Sequence, residues 1–189
     1  MWKLLVISVA VALAPPPVAF RDRDSLPVGQ KDKAIFAGGC FWGLESYFRK
    51  APGVTATTVG YTGGTVEHPT YEQVCTKRTG HLEAIEIVFD STKTSYEALT
   101  KLFFEIREPV RADEPGGGAD KRFHSAVFYL GDEQKVIAEG LIGGVAKKGY
   151  RVVTRVVEAG AFWPAEEYHQ DYYEKLGKAP HCHTLPPRS

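Results

Sequence analysis

An α+β domain is the fold class this sequence predicts: a two-layer sandwich on a mixed sheet, with a ferredoxin-like, split βαβ core and an irregular C-terminal tail. Three observations point there. Strand-like runs rich in Val, Ile and Thr and amphipathic helical stripes follow one another in the order β-α-β-β-α-β-α-β. Two of the runs, 83–90 and 152–158, alternate apolar and polar residues, as a half-buried strand does. The chain has 189 residues, 43% hydrophobic and 24% charged, enough for one domain with one core.

The first twenty residues stand apart. Lys3 precedes an apolar run from Leu4 to Ala14, and Pro15, Pro16 and Pro17 then break any helix. Eleven apolar residues are too few to span a bilayer and suit the centre of a secretory signal. Residues 1–20 are therefore expected to be a signal peptide, or an N-terminal anchor if left uncleaved. Residues 21–32 are expected to be a linker and 33–189 the working domain. The expected location is exported, periplasmic or otherwise extracytoplasmic.

Within the domain, 33–37 reads as a short strand ended by Gly38-Gly39. Phe41, Leu44, Tyr47 and Phe48 recur at helical spacing until Pro52-Gly53. Strand 54–61 ends at Gly63-Gly64. After strand 83–90, Ser95 caps a helix with Leu99, Leu102, Phe103 and Ile106 on one stripe. Strand 125–130 leads into a helix from Asp132 to Lys148, stopped by Gly149. Strand 152–158 follows, and 165–176 reads as one aromatic-rich helix.

Net charge is zero, so nothing favours nucleic acid, which seeks a basic face. Three cysteines, Cys40, Cys75 and Cys182, are too few to staple a domain of this size, and an odd count in an exported chain leaves a thiol unpaired. Chemistry is the better explanation. Cys40 follows two glycines and opens a helix, where unpaired amides and the helix dipole favour a thiolate. Trp42 lies off the helix's apolar stripe, beside that thiol, as the wall for a small apolar group would. Glu83 shares strand parity with Ile85, Ile87 and Phe89, which turns it to the apolar side; burial there should raise its pKa and leave a proton to donate. His181-Cys182-His183 places a third thiol in the tail. Cys75 is expected in the core. Glu166 and His169, three apart, lack a second ligand pair and read as support for the site rather than as a metal centre.

Four motifs stand in order: Gly-Cys-Phe-Trp-Gly at 39–43, Gly-Tyr-Thr-Gly-Gly at 60–64 continuing through Tyr71 to Cys75, Thr-Gly-His-Leu-Glu-Ala-Ile at 79–85, and Ala-Glu-Glu-Tyr-His-Gln-Asp-Tyr at 165–172. Together they resemble the MsrA-type peptide methionine sulfoxide reductases over about residues 33–184. The resemblance implies reduction of the S epimer of methionine sulfoxide, free or in a peptide. It makes Cys40 the nucleophile, Glu83 the acid, and Tyr71 the hydrogen-bond donor to the sulfoxide oxygen. Phe41 and Trp42 would line the methyl pocket, and Cys182 would resolve the sulfenic acid on Cys40 as a disulfide. No cofactor or metal is implied. The implied partners are oxidised proteins or peptides and thioredoxin or a similar reductant, and the chain is expected to be a monomer.

The chain departs from the family pattern between 107 and 125. It has Arg107-Glu108-Pro109 for the usual His-Asp-Pro, Gly118 for Asp, Asp120 for Gly, and Arg122-Phe123-His124-Ser125 for Gln-Tyr-Arg-Ser. Phe123, in the substrate-facing position, lacks the hydroxyl the family aims at the sulfoxide oxygen. The alternative is thus a degenerate scaffold that binds oxidised methionine without efficient turnover. Retention of Cys40, Glu83 and Tyr71 favours the enzyme, because a binder needs no acid beside a thiol.

Overall fold

The computed structural model describes residues 31–107, 125–149 and 152–181. Six strands form one sheet: β1 (Lys31–Ala37), β2 (Val54–Thr62), β3 (Leu82–Asp90), β4 (Ala126–Tyr129), β5 (Arg155–Glu158) and β6 (Trp163–Pro164). Their order is β5-β4-β1-β3-β2-β6. The inner four strands, β4-β1-β3-β2, are antiparallel and have the ferredoxin-like arrangement, with β1 and β2 separated by β3. β5 joins β4 in parallel and makes the sheet mixed. Strand β1 begins at Lys31, two residues inside the stretch expected as linker, because Lys31 and Asp32 pair with Asp90 and Phe89 of β3.

The helices are α1 (Phe41–Phe48), α2 (Tyr71–Cys75), α3 (Tyr96–Ile106), α4 (Asp132–Lys147) and α5 (Tyr172–Leu176). Ser95 caps α3, its hydroxyl accepting the Ala98 N–H at 3.1 Å. Gly149 follows α4 in the left-handed conformation (φ 87°), as its place after the last apolar residue suggests. The main core lies between one face of the sheet and the helices. Ala34, Phe36, Ile85, Ile87, Phe89 and Val127 from the strands meet Leu44 and Phe48 of α1 and Leu99, Phe103 and Ile106 of α3. Phe36 stacks on both Phe48 and Phe103, with ring centroids 5.5 and 4.9 Å apart. The opposite parity, Ile35, Ala37, Leu82, Ala84, Ala126 and Phe128, forms a second cluster with Val157 and Phe162.

Residues 165–176 do not form one helix. A 3-10 turn at Glu167–His169 is followed by Asp171 in the left-handed conformation (φ 55°), and only then by α5. Long-range hydrogen bonds override the helical propensity. The Gln170 side chain pairs with β2 as a strand residue would: it accepts the Val59 N–H and donates to the Val59 carbonyl, both at 2.9 Å. Its amide also reaches the Ala165 carbonyl. The backbone must bend to present that side chain edge-on to the sheet. Helix α2 has no counterpart in the element order expected from sequence, since five residues are too few to show a period. Its Thr70/Gln73 capping box was nevertheless there to be read.

Candidate active site

Gly39 adopts φ 89°, and this turn delivers Cys40 to the N-cap of α1. Cys40 is half-buried and caps with no side-chain hydrogen bond, so its sulfur is not spent on the helix end. Strand β3 brings Glu83 to the same point. Glu83 pairs across the ladder with Tyr61 and keeps the parity of Ile85 and Ile87, the helix-facing one. Its carboxylate accepts the Phe41 N–H at 3.3 Å. An acid group thus touches the amide next to the thiol residue, at the positive end of the helix.

An aromatic cluster adjoins this pair. Phe41, Val59, Tyr61, Val74 and Ala165 are buried together, with Trp42, Tyr71 and Trp163 packed against them. The helical spacing leaves Trp42 half-buried, off the core stripe. Tyr172 stacks on its indole with centroids 3.8 Å apart and planes 9° from parallel. The indole N–H donates to His169 Nδ1 at 3.0 Å. Nδ1 must therefore be an acceptor, which puts the imidazole proton on Nε2. Burial favours the neutral ring and lowers the His169 pKa against the pull of Glu166. His169 also lies against Phe41 and Tyr71, at 5.1 and 4.6 Å between centroids.

Glu166 ties the Tyr71 side of the site together. One oxygen accepts the Tyr71 N–H at 2.9 Å and the other accepts the Tyr61 hydroxyl at 2.8 Å. Burial alone would raise its pKa, but these donors outweigh burial and hold it below the usual carboxylate range. Burial together with the Glu166 bond pushes the Tyr61 hydroxyl far up, so Tyr61 stays a donor. Glu166 thus holds the Tyr71 amide and the Tyr61 hydroxyl, and His169 holds the Trp42 indole. Among the described residues, no three His, Cys, Asp or Glu side chains converge as metal ligands.

Cys40, Glu83, Tyr71, Phe41 and Trp42 are thereby brought to one end of α1. Cys182 and Phe123 lie outside the described residues, as do Gly118 and Asp120. Cys75 is half-buried at the end of α2 rather than in the core, because Val74 takes the inward position. A groove of about 410 Å³ is lined by Trp42, Glu45, Arg49, Asp171 and Tyr173 among others. It shares only Trp42 with this cluster and does not include Cys40 or Glu83.

Residues 32–188 match the family model described as peptide methionine sulfoxide reductase. The chain belongs to the peptide methionine sulfoxide reductase family. The MsrA of Nocardia farcinica is 46% identical over 154 residues, 80% of this chain and 88% of that one. Among solved structures, the methionine sulfoxide reductase A of Corynebacterium diphtheriae is 31% identical with TM-score 0.68, over 82% of this chain and 81% of that one. Mxr1 of Saccharomyces cerevisiae, solved in complex with Trx2, shares the reductase fold at 22% identity and TM-score 0.54, over 90% of this chain and 96% of that one. Sequence reasoning missed Glu45, buried on α1, and Gln170. Both act through long-range hydrogen bonds to backbone, which leave no mark in a local pattern.

Proposed function

We propose that this methionine sulfoxide reductase acts on the S epimer, with Cys40 as nucleophile and Glu83 as acid. The Cys40 thiolate attacks the sulfoxide sulfur, and Glu83 supplies a proton to the sulfoxide oxygen. The sulfoxide gains two electrons and leaves as methionine, while Cys40 ends as the sulfenic acid that carries the oxygen. Tyr71 donates a hydrogen bond to the same oxygen, and Phe41 and Trp42 enclose the methyl group. Cys182 then attacks the sulfenic acid, releasing water and leaving a disulfide for thioredoxin to reduce. A thioredoxin donor is in keeping with the Mxr1–Trx2 complex of the yeast relative. Export by residues 1–20 is part of the same proposal and puts an extracytoplasmic thioredoxin-like protein in the donor role.

One observation carries this reading: the Glu83 carboxylate sits on the Phe41 amide, one residue from the thiol at the helix N-cap. The test is single-turnover reduction of S- and R-sulfoxide peptides. The wild type consumes the S form only, Cys40→Ser consumes neither, and Glu83→Gln slows the step about a hundredfold to ten-thousandfold. A Gln variant at the wild-type rate removes Glu83 from the mechanism, and wild type without turnover leaves a binding scaffold. Cys182→Ser gives one fast product per enzyme and slow turnover with thioredoxin. Wild-type turnover in that variant removes Cys182 from recycling.

A further inference from the structure

Trp42 is held from behind by the first residue of α5. Tyr172, its stacking partner, follows directly on Asp171, whose left-handed backbone interrupts the helical ladder. The Asp171 N–H therefore needs an acceptor from elsewhere. Glu45 of α1 supplies it: its Oε2 accepts the Asp171 N–H at 2.7 Å. The other oxygen, Oε1, accepts the Thr57 hydroxyl of β2 at 3.3 Å. The Glu45 side chain is 1% exposed. A carboxylate is a costly group to bury, and a leucine would fill this stripe without that cost. The position is used for its two acceptor atoms.

The geometry is that of a short zip. Trp42, Glu45 and Arg49 stand at i, i+3 and i+7, one face of α1. Opposite them lie Tyr172, the Asp171 amide, and the carboxylates of Asp171 and Glu174. Arg49 and its partners are substantially exposed, so those ion pairs contribute little. The buried Glu45 bond is the rung next to Trp42, and no residue intervenes between Asp171 and Tyr172 to absorb slack.

We propose that Glu45 is a positioning residue for the substrate pocket: by accepting the Asp171 N–H it holds Tyr172 flat against Trp42 and so sets how much room the sulfoxide's methyl group has. This rests on Trp42 being a wall of the methyl pocket. Loss of the bond lets Tyr172 withdraw and the indole tilt, and a bulkier alkyl group then fits.

The test compares kcat/KM for a methionine sulfoxide peptide and for the same peptide carrying ethionine sulfoxide, one methylene larger. A hydrophobic pocket that fits its ligand discriminates at this level by about 10- to 200-fold. Trp42→Ala should collapse that ratio towards one; if it does not, Trp42 is no pocket wall and the proposal falls with that reading. With Trp42→Ala collapsed, Glu45→Leu and Glu45→Asp should each lower the ratio by about tenfold while keeping a cooperative thermal transition. Asp keeps the carboxyl group but is one methylene too short to reach Asp171, so it decides the matter if the Leu variant does not fold. Glu45→Gln keeps an acceptor for Asp171 and should stay within about twofold of wild type. A wild-type ratio in a folded Asp or Leu variant overturns the proposal, and so does a Gln variant as impaired as Leu.

Discussion

Replacing Glu45 by Gln should make the reductase more stable at neutral and alkaline pH and leave it unchanged in acid. Burial, the largest influence, together with the neighbouring Asp171 carboxylate, raises the Glu45 pKa from 4.5 to about 7, against the Asp171 amide, Thr57 and Arg49. Below about 4.5 the side chain is neutral in both folded and unfolded chains. Between there and about 7 the unfolded chain releases the proton while the folded chain keeps it. The unfolded state then binds fewer protons, so stability falls as pH rises through this window. Above about 7 the loss is complete. At about 1.4 kcal/mol per pH unit the interval is worth at most about 3 kcal/mol. The near-complete burial of Glu45 leaves little room for screening. Gln mimics the neutral acid: its oxygen accepts the Asp171 N–H, and its NH2 donates to the Thr57 hydroxyl. For a domain of this size each kcal/mol moves Tm by roughly 2–4 °C. The Gln variant should therefore melt up to about 12 °C above wild type near pH 8 and together with it near pH 4. Thermal unfolding of both proteins in matched buffers measures the difference, and the other titrating groups cancel. Parallel curves, or a wild type that gains on the variant as pH rises, would refute the assignment.

Gly60→Ala should be destabilising by about 1–3 kcal/mol, because an added Cβ would lie 2.3 Å from the Trp163 carbonyl oxygen and 2.7 Å from the Phe162 ring. Denaturant unfolding measures it, and an unchanged midpoint would mean that β6 yields freely. Phe123→Tyr should speed single-turnover reduction by restoring a donor to the sulfoxide oxygen. The ceiling is about a hundredfold, with less expected because the proposed mechanism already gives that atom Tyr71 and Glu83. A lower Tm with no gain in rate would show that position 123 does not face the substrate.

Local patterns in the sequence carried most of the sheet and the inner half of the site. The alternation in β3 is enough to turn Glu83 inward, because strand parity is set by the backbone alone. The Gly-Gly turn before α1 placed Cys40 at a helix start for the same reason. The 165–176 segment failed for the opposite reason. Its aromatic residues recur at helical spacing, yet Gln170 and Asp171 are claimed by Val59 and Glu45, more than a hundred residues away. Such contacts depend on the assembled sheet and leave no periodicity behind. Glu45 was invisible likewise: on α1 it sits beside apolar neighbours as any surface-edge glutamate would, and only the packing of Thr57 and Asp171 around it reveals its use.

The way Gln170 meets β2 has a consequence for how this protein keeps to itself. A strand at the rim of a sheet offers its amides and carbonyls to any passing chain, and a repair enzyme for damaged proteins meets many such chains. Here β6 covers only Gly60 and Tyr61. The amide of Gln170 then takes both hydrogen-bonding groups of Val59, so a side chain finishes what a two-residue strand began. Further along, the register slips between Val54 and Ala56, and a strand bent in this way is a poor template for another. The segment that sets His169 and Tyr172 against Trp42 therefore also guards the rim against unwanted annealing.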